Sequence, residues 1–197
     1  MSQQIEIEFK NLLTKEEFDR LTSFFHLSEN DFVQQENHYF DTELFQLKEL
    51  GIALRIRAKN NRYVLTLKEP ARVGLLETHQ PLSEQEALTA IRTSLLPKEG
   101  EVMEKIARLG IKLEKLVLFG SLTTFRAEKV YKNGLIVLDH SRYENKEDFE
   151  AEFEAKDEKE GMQMFYSLLK MHGIPLRKTE NKIKRLYLAK RSKENWR

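Results

Sequence analysis

The sequence contains no cysteine, so disulfides and thiolate metal sites are both excluded. No apolar run is long enough for a signal peptide or a membrane-spanning helix, and a soluble cytoplasmic protein is the expectation. There is no Pro/Gly/Ser-rich linker and no internal repeat, so the 197 residues are expected to form one domain, 1–197. Nor does either sign of charge dominate: 33 basic residues stand against 32 acidic ones, for a formal net charge of +1. That balance argues against a nucleic-acid or membrane-surface partner. What the chain does have is charge in quantity, 33% of residues beside 40% hydrophobic ones. A core can form, and opposite charges are available to face each other inside one site.

The pattern is mostly that of strands. Side chains alternate between the two faces of a strand, so in the first ten residues Glu6, Glu8 and Lys10 share one face, and Ile5, Ile7 and Phe9 the other. Thr14 and Glu17 form a capping box that opens a helix over about 14–26. A strand is expected at 33–41. The segments 52–59 and 62–69 alternate on either side of Asn60-Asn61, and asparagine tolerates the positive φ of a tight hairpin. Another strand follows at 75–82. Ser83 and Glu86 make a second capping box, with a helix to about 96. Pro97 is expected to start a further helix that ends before Gly110. Strands at 116–128 and 129–140 come next, the second containing the turn signal Asn133-Gly134, and then a strand at 149–156. Asp157 caps a helix that stops at Gly173, and a basic helix is expected from Thr179 to Arg191. The fold class is therefore α+β. Some eight hairpin-connected strands suit a closed eight-stranded antiparallel β-barrel, a tunnel with the helices packed outside.

On the polar strand faces the charges are sorted by sign. Arg55, Arg57 and Lys59 line one strand, Arg62 and Lys68 the next. Glu150, Glu152 and Glu154 line a late strand, and Arg126 and Glu128 share a mixed row. A plain amphipathic sheet with wet faces would mix its polar residues. Basic rows suit phosphate oxygens, since arginine offers a planar fork and lysine a point charge. Magnesium takes one or two carboxylates together with substrate phosphates. The rows together suit a site for a polyphosphate and a divalent metal.

These residues also carry a resemblance. Glu6-x-Glu8-x-Lys10 resembles the E-x-E-x-K signature of the CYTH family, the triphosphate tunnel metalloenzymes. The segments 39–42 (Tyr-Phe-Asp-Thr), 51–57 (Gly-Ile-Ala-Leu-Arg-Ile-Arg) and 65–68 (Leu-Thr-Leu-Lys) are similar to further blocks of that family. Arg126, Asp139, the row Glu150/Glu152/Glu154, and Lys182-x-x-Arg185 fall in its order. The resemblance implies a tunnel that binds triphosphate with Mg²⁺ or Mn²⁺ and hydrolyses it, inorganic triphosphate being the favoured substrate. It implies phosphate contacts from Lys10, Arg55, Arg57, Lys68, Arg126, Lys182 and Arg185, with Glu6, Glu8, Lys10 and Arg126 central to catalysis. It implies metal ligation by Glu6, Glu8, Asp139, Glu152 and Glu154, the alternative ligand pair being Glu150 with Glu152. Glu77 lies where the family often has an acidic tunnel residue. Asn181 stands where many members have serine. Two other readings share the same apparatus: a class IV-like adenylate cyclase making cyclic AMP from ATP, and a non-catalytic regulatory binder of polyphosphate or nucleotides. The scattered histidines His26, His38, His79, His140 and His172 show no metal-ligand spacing and read as surface or structural. Asp41 reads as a turn residue.

Overall fold

A computed structural model describes residues 3–194. Eight strands make a closed barrel in the order β1-β5-β4-β3-β2-β6-β7-β8. They are β1 (Gln3–Leu13), β2 (Val33–Thr42), β3 (Ala53–Lys59), β4 (Arg62–Pro70), β5 (Leu75–Leu82), β6 (Leu116–Tyr131), β7 (Gly134–Tyr143) and β8 (Lys146–Ala155). The helices are α1 (Lys15–Phe24), α2 (Gln46–Glu49), α3 (Glu84–Thr93), α4 (Glu101–Arg108), α5 (Glu158–Met171) and α6 (Lys182–Glu194). None of them is long and apolar enough to cross a membrane. The residues group into two compact units, one built on 35–121 with the chain start through Ile5, the other on 6–34 and 122 onward.

In the first unit β2, β3, β4 and β5 pair as successive antiparallel neighbours. Their apolar faces carry Phe40, Leu54, Ile56, Leu65 and Leu67, which pack with Ala87 and Ala90 of α3 and Met103 and Ile106 of α4. The β3–β4 turn has φ of 51° at Asn60 and 57° at Asn61, the conformation a two-residue hairpin of this twist requires. Ser83 and Glu86 form the expected capping box of α3. The helix expected from Pro97 instead begins at Glu101. Gly100 turns the chain at φ 117°, and the Gln80 side chain, reaching over from β5, accepts the Val102 N–H at 3.2 Å. One of the helix's first unpaired donors is thus capped from outside the local sequence.

In the second unit β8 pairs with both β7 and β1. Its apolar face, Ala151 and Phe153, packs with Ile136 and Leu138 of β7, Phe18 and Leu21 of α1, and Phe165, Leu168 and Leu169 of α5. The capping box of Thr14 and Glu17 opens α1. Helix α5 lies so close to the sheet that a Cβ on Gly161 would sit 2.4 Å from the Ala155 Cβ and 2.8 Å from the Phe9 ring.

The division between β6 and β7 falls later than the sequence predicts. Strand β6 runs on to Tyr131, and the turn is Lys132-Asn133, with Lys132 at φ 54°. Gly134 is already the first residue of β7, where a Cβ would meet Phe153 Cζ at 2.4 Å. The glycine serves close packing there rather than the turn.

Helix α6 also starts later than expected. The Thr179 hydroxyl is used to accept the Leu12 N–H at 2.9 Å, and Asn181 Oδ1 accepts the Lys184 N–H at 2.9 Å, so the helix begins at Lys182. An asparagine serves this capping role as well as a serine does.

Candidate active site

The charged face is the one turned away from α3 and α4 in the first unit and from α1 and α5 in the second, and each is built by register. In the second unit, Lys10 of β1 is the Cα partner of Glu152 and Glu8 the partner of Glu154. Asp139 of β7 is paired with Glu150 on one side and with Arg126 of β6 on the other. Alternation then puts Glu150, Glu152, Glu154, Asp139, Arg126, Glu8 and Lys10 on one surface.

Three carboxylates come together there. Asp139, Glu150 and Glu152 are all buried, and each offers an oxygen within 4.8 Å of the others'. Buried charge on this scale must be paired. The Arg126 guanidinium grips Asp139 through Nε at 2.7 Å and Nη2 at 2.6 Å, and the same Nη2 donates to Glu152 at 2.6 Å. Lys182 Nζ lies 2.8 Å from Asp139, 2.8 Å from Glu150 and 2.5 Å from Glu152. Arg185, one turn further along α6, pairs with Glu150 and with Asp148. Lys10 pairs with Glu8.

The protonation states follow from this packing. Burial opposes the ionised form of every group. At Asp139 and Glu152 the Arg126 and Lys182 charges outweigh it and hold both carboxyls below the usual range, Glu152 far below. At Glu150 burial wins: with the Glu152 charge adding to it and Lys182 opposing, the carboxyl is pushed up to about 7. Burial also pushes Glu154 up, the nearby Glu152, Glu128 and Glu8 charges adding to it. Lys182 stays protonated against its burial because Asp139, Glu150 and Glu152 surround it.

The first unit supplies a basic counterpart. Arg55, Arg57 and Lys68 share the helix-free face of β3 and β4 with Thr66, and with Glu77 and His79 of β5. Arg57 Nε donates to Asn37 at 3.0 Å, and Lys68 pairs with the buried Glu77. Arg55 Nε is buried without a hydrogen-bond partner among the described residues. An unsatisfied buried guanidinium nitrogen is costly, and an anion oxygen would satisfy it.

The expected site residues thus distribute as follows. Asp139, Glu150 and Glu152 meet, interleaved with Arg126, Lys182 and Arg185. Glu8, Lys10 and Glu154 lie one step along the same surface. Glu6 is on the Glu8 face of β1 by alternation. Arg55, Arg57, Lys68 and Glu77 belong to the first unit's row.

Two residues that the sequence gives only structural readings, His79 and Asp41, make contacts it does not announce. His79 sits within this row, its Nε2 3.1 Å from Glu77 and its Nδ1 3.1 Å from the Thr66 hydroxyl. Its spacing of two from Glu77 was the available signal. Asp41 is more than a turn residue, for its carboxylate accepts the N–H groups of Thr42, Leu47 and Lys48 and so fixes α2.

The segment that delivers α6 is held to the second unit from outside the charged surface. Arg177 grips Glu17 with Nη1 at 2.7 Å and Nη2 at 2.9 Å, and its backbone N–H donates to Asn11 at 2.7 Å. Hydrogen bonds from Arg177 hold the Glu17 carboxyl below its usual range. A depressed folded-state pKa contributes stability above the unfolded-state value, about 4.3 for glutamate, and that contribution is lost as the pH falls below it. Glu17→Gln is therefore expected to lower the thermal midpoint at pH 7 and to shrink its drop between pH 5 and 3. An unchanged acid dependence would count against this pair as the anchor.

With this geometry in view, comparison with known proteins is decisive on one point. Residues 4–187 match the CYTH domain. The chain belongs to the CYTH domain family. It is 57% identical over 191 residues to a Bacillus subtilis (strain 168) protein, YjbK, whose name proposes a triphosphatase; the match covers 97% of this chain and 98% of that one. A crystal structure of a Bacillus halodurans protein described as a candidate adenylate cyclase is 46% identical, with a TM-score of 0.91, covering 95% of this chain and 100% of that one. A Hippeastrum protein, described as a candidate adenylyl cyclase with dominant triphosphatase activity, shares the fold at 21% identity. Its TM-score is 0.80 over 94% of this chain and 96% of that one.

Proposed function

We propose that this CYTH chain hydrolyses a triphosphate, inorganic triphosphate foremost, with Mg²⁺ or Mn²⁺. The observation that carries the reading is the buried trio Asp139, Glu150 and Glu152 interleaved with Arg126, Lys182 and Arg185. A surface for anions alone has no use for three buried carboxylates, and one for cations alone has no use for the guanidiniums and ammoniums between them. The oxygen-only donor set fits a hard divalent cation. The YjbK relative, at 57% identity, supports the same reading. Because the family match runs across both units, we read the chain as one CYTH-type domain rather than two.

In this reading Lys10, Arg55, Arg57, Lys68, Arg126, Lys182 and Arg185 bind the phosphates and balance the charge that builds on the departing group. A cation held by the acidic residues would supply Lewis acidity toward phosphate oxygens and the attacking water. Asp139 and Glu152 are held ionised for ligation. Glu6, Glu8 and Glu154 extend the acidic surface beyond the trio. No side chain is assigned as a covalent nucleophile: a water oxygen bonds to the terminal phosphorus as the bridging P–O bond breaks.

The deciding experiment is phosphate release from inorganic triphosphate, ATP and thiamine triphosphate, each with Mg²⁺, Mn²⁺ or EDTA. Cation-dependent release, fastest on inorganic triphosphate, is expected. No release from any of the three would overturn the reading. Likeness to the Bacillus halodurans protein favours a second reading, adenylate cyclisation, which cyclic AMP formed from ATP in the same tubes would reveal.

A further inference from the structure

Lys182 does more on this surface than add positive charge. An ammonium has three N–H donors and no acceptor. Here Nζ donates to Glu150 at 2.8 Å and to Glu152 at 2.5 Å, and it forms an ion pair with Asp139 at 2.8 Å. The same three residues offer the converging oxygens that suit a divalent cation. A magnesium ion bound to them would lie about 2.1 Å from each oxygen, within the space that Nζ fills. Overlap forbids both occupants, and so does the repulsion of like charges in a buried site.

We propose that Lys182 is the resident occupant of the cation site. In the substrate-free protein the chain's own lysine holds the carboxylates together. A divalent cation enters as Lys182 leaves, and the lysine moves onto the arriving phosphates. The nature of that anion rests on the triphosphatase reading above; the exchange of ammonium for metal does not.

Three observations favour an exchange over a permanent ion pair. Lys182 is the first residue of α6, and the chain ahead of it is tied to β1 through Thr179 and Arg177, so the backbone can stay in place while a flexible four-carbon stem swings. Arg126 and Arg185 keep their own grips on the trio, so the carboxylates remain organised when the ammonium withdraws. The positive charge that Lys182 brought to Asp139, Glu150 and Glu152 is then missing, and a divalent cation supplies it.

The test is Mn²⁺ binding to the substrate-free protein, read from the electron paramagnetic resonance signal of free Mn²⁺ at neutral pH. Lys182→Met and Lys182→Gln are each expected to bind Mn²⁺ at least about tenfold more tightly than the wild type. Lys184→Met, which removes an exposed lysine of α6 paired with Glu180 just ahead of the helix, should leave the affinity unchanged. If Lys182→Met folds only when Mn²⁺ is added, its Mn²⁺-dependent thermal transition reports the same competition. Equal or weaker Mn²⁺ binding by the glutamine variant overturns the proposal, as does a methionine variant that Mn²⁺ fails to restore. No triphosphate is present in this assay. A wild type that hydrolyses nothing, alongside Lys182 variants that gain Mn²⁺ affinity, would sink the triphosphatase reading and leave the exchange standing.

Discussion

Glu152→Gln should cut cation-dependent phosphate release from triphosphate by roughly 10²–10³-fold, the usual loss when one preorganised electrostatic group is removed from a site of this kind. Glu152 is the residue on which the surface converges. It accepts from Arg126 and Lys182, has Lys10 as its strand partner, and is held ionised by the first two. Glutamine keeps the shape and loses the charge, so it cannot serve as an anionic ligand. Glu154→Gln is the comparison. Glu154 is two residues along the same row, beside Glu8 and outside the trio, and its removal should cost less than about tenfold. Steady-state kinetics on both variants, with circular dichroism to establish folding, decide the matter. A Glu152→Gln protein within tenfold of the wild type would remove the trio from the mechanism.

The second large effect is on stability. Truncating Arg126 to alanine is expected to cost about 3–5 kcal/mol, the penalty for leaving a buried partner uncompensated. Asp139 is fully buried and Glu152 nearly so, and Arg126 donates to both. The measurement is urea unfolding of the cation-free protein. Pairing Arg126→Met with Asp139→Asn should recover part of the loss, since removing both charges together is far cheaper than stranding one. A single-variant cost below 1 kcal/mol would mean that water or a rearranged Lys182 satisfies the carboxylates.

Much of this arrangement was legible in the order of residues, because strand alternation is a local rule. It puts Glu6, Glu8 and Lys10 on one face, sorts Arg55 and Arg57 from Leu54 and Ile56, and separates Glu150, Glu152 and Glu154 from Ala151 and Phe153. The Asn60-Asn61 hairpin and both capping boxes were readable for the same reason. What local rules do not contain is register between strands distant in sequence. Whether Asp139 meets Glu150 or Glu154 depends on the pairing of β7 with β8, in which Asp139 stands opposite Glu150. Glu17 and Arg177 are 160 residues apart, and nothing in either segment announces the other. Asp41 could be read as a turn residue, but its capping of α2 needed three backbone N–H groups that only the folded chain supplies. The start of α4 depended on the side chain of Gln80, which is borrowed from another strand.

The two-sidedness of β8 sets a rule of inheritance for this part of the chain. One face carries Glu150 and Glu152, the other Ala151 and Phe153 packed beneath α5 and α1. Inserting or deleting one residue anywhere between Lys146 and Glu150 would exchange the faces. The acids would be driven against Phe165 and Leu168, and the phenylalanine into the midst of Arg126 and Lys182. An insertion of two residues would restore the faces and shift only the pairing. Homologues should therefore tolerate changes of length here in even steps and be purged of odd ones, a parity that substitution patterns alone would not reveal.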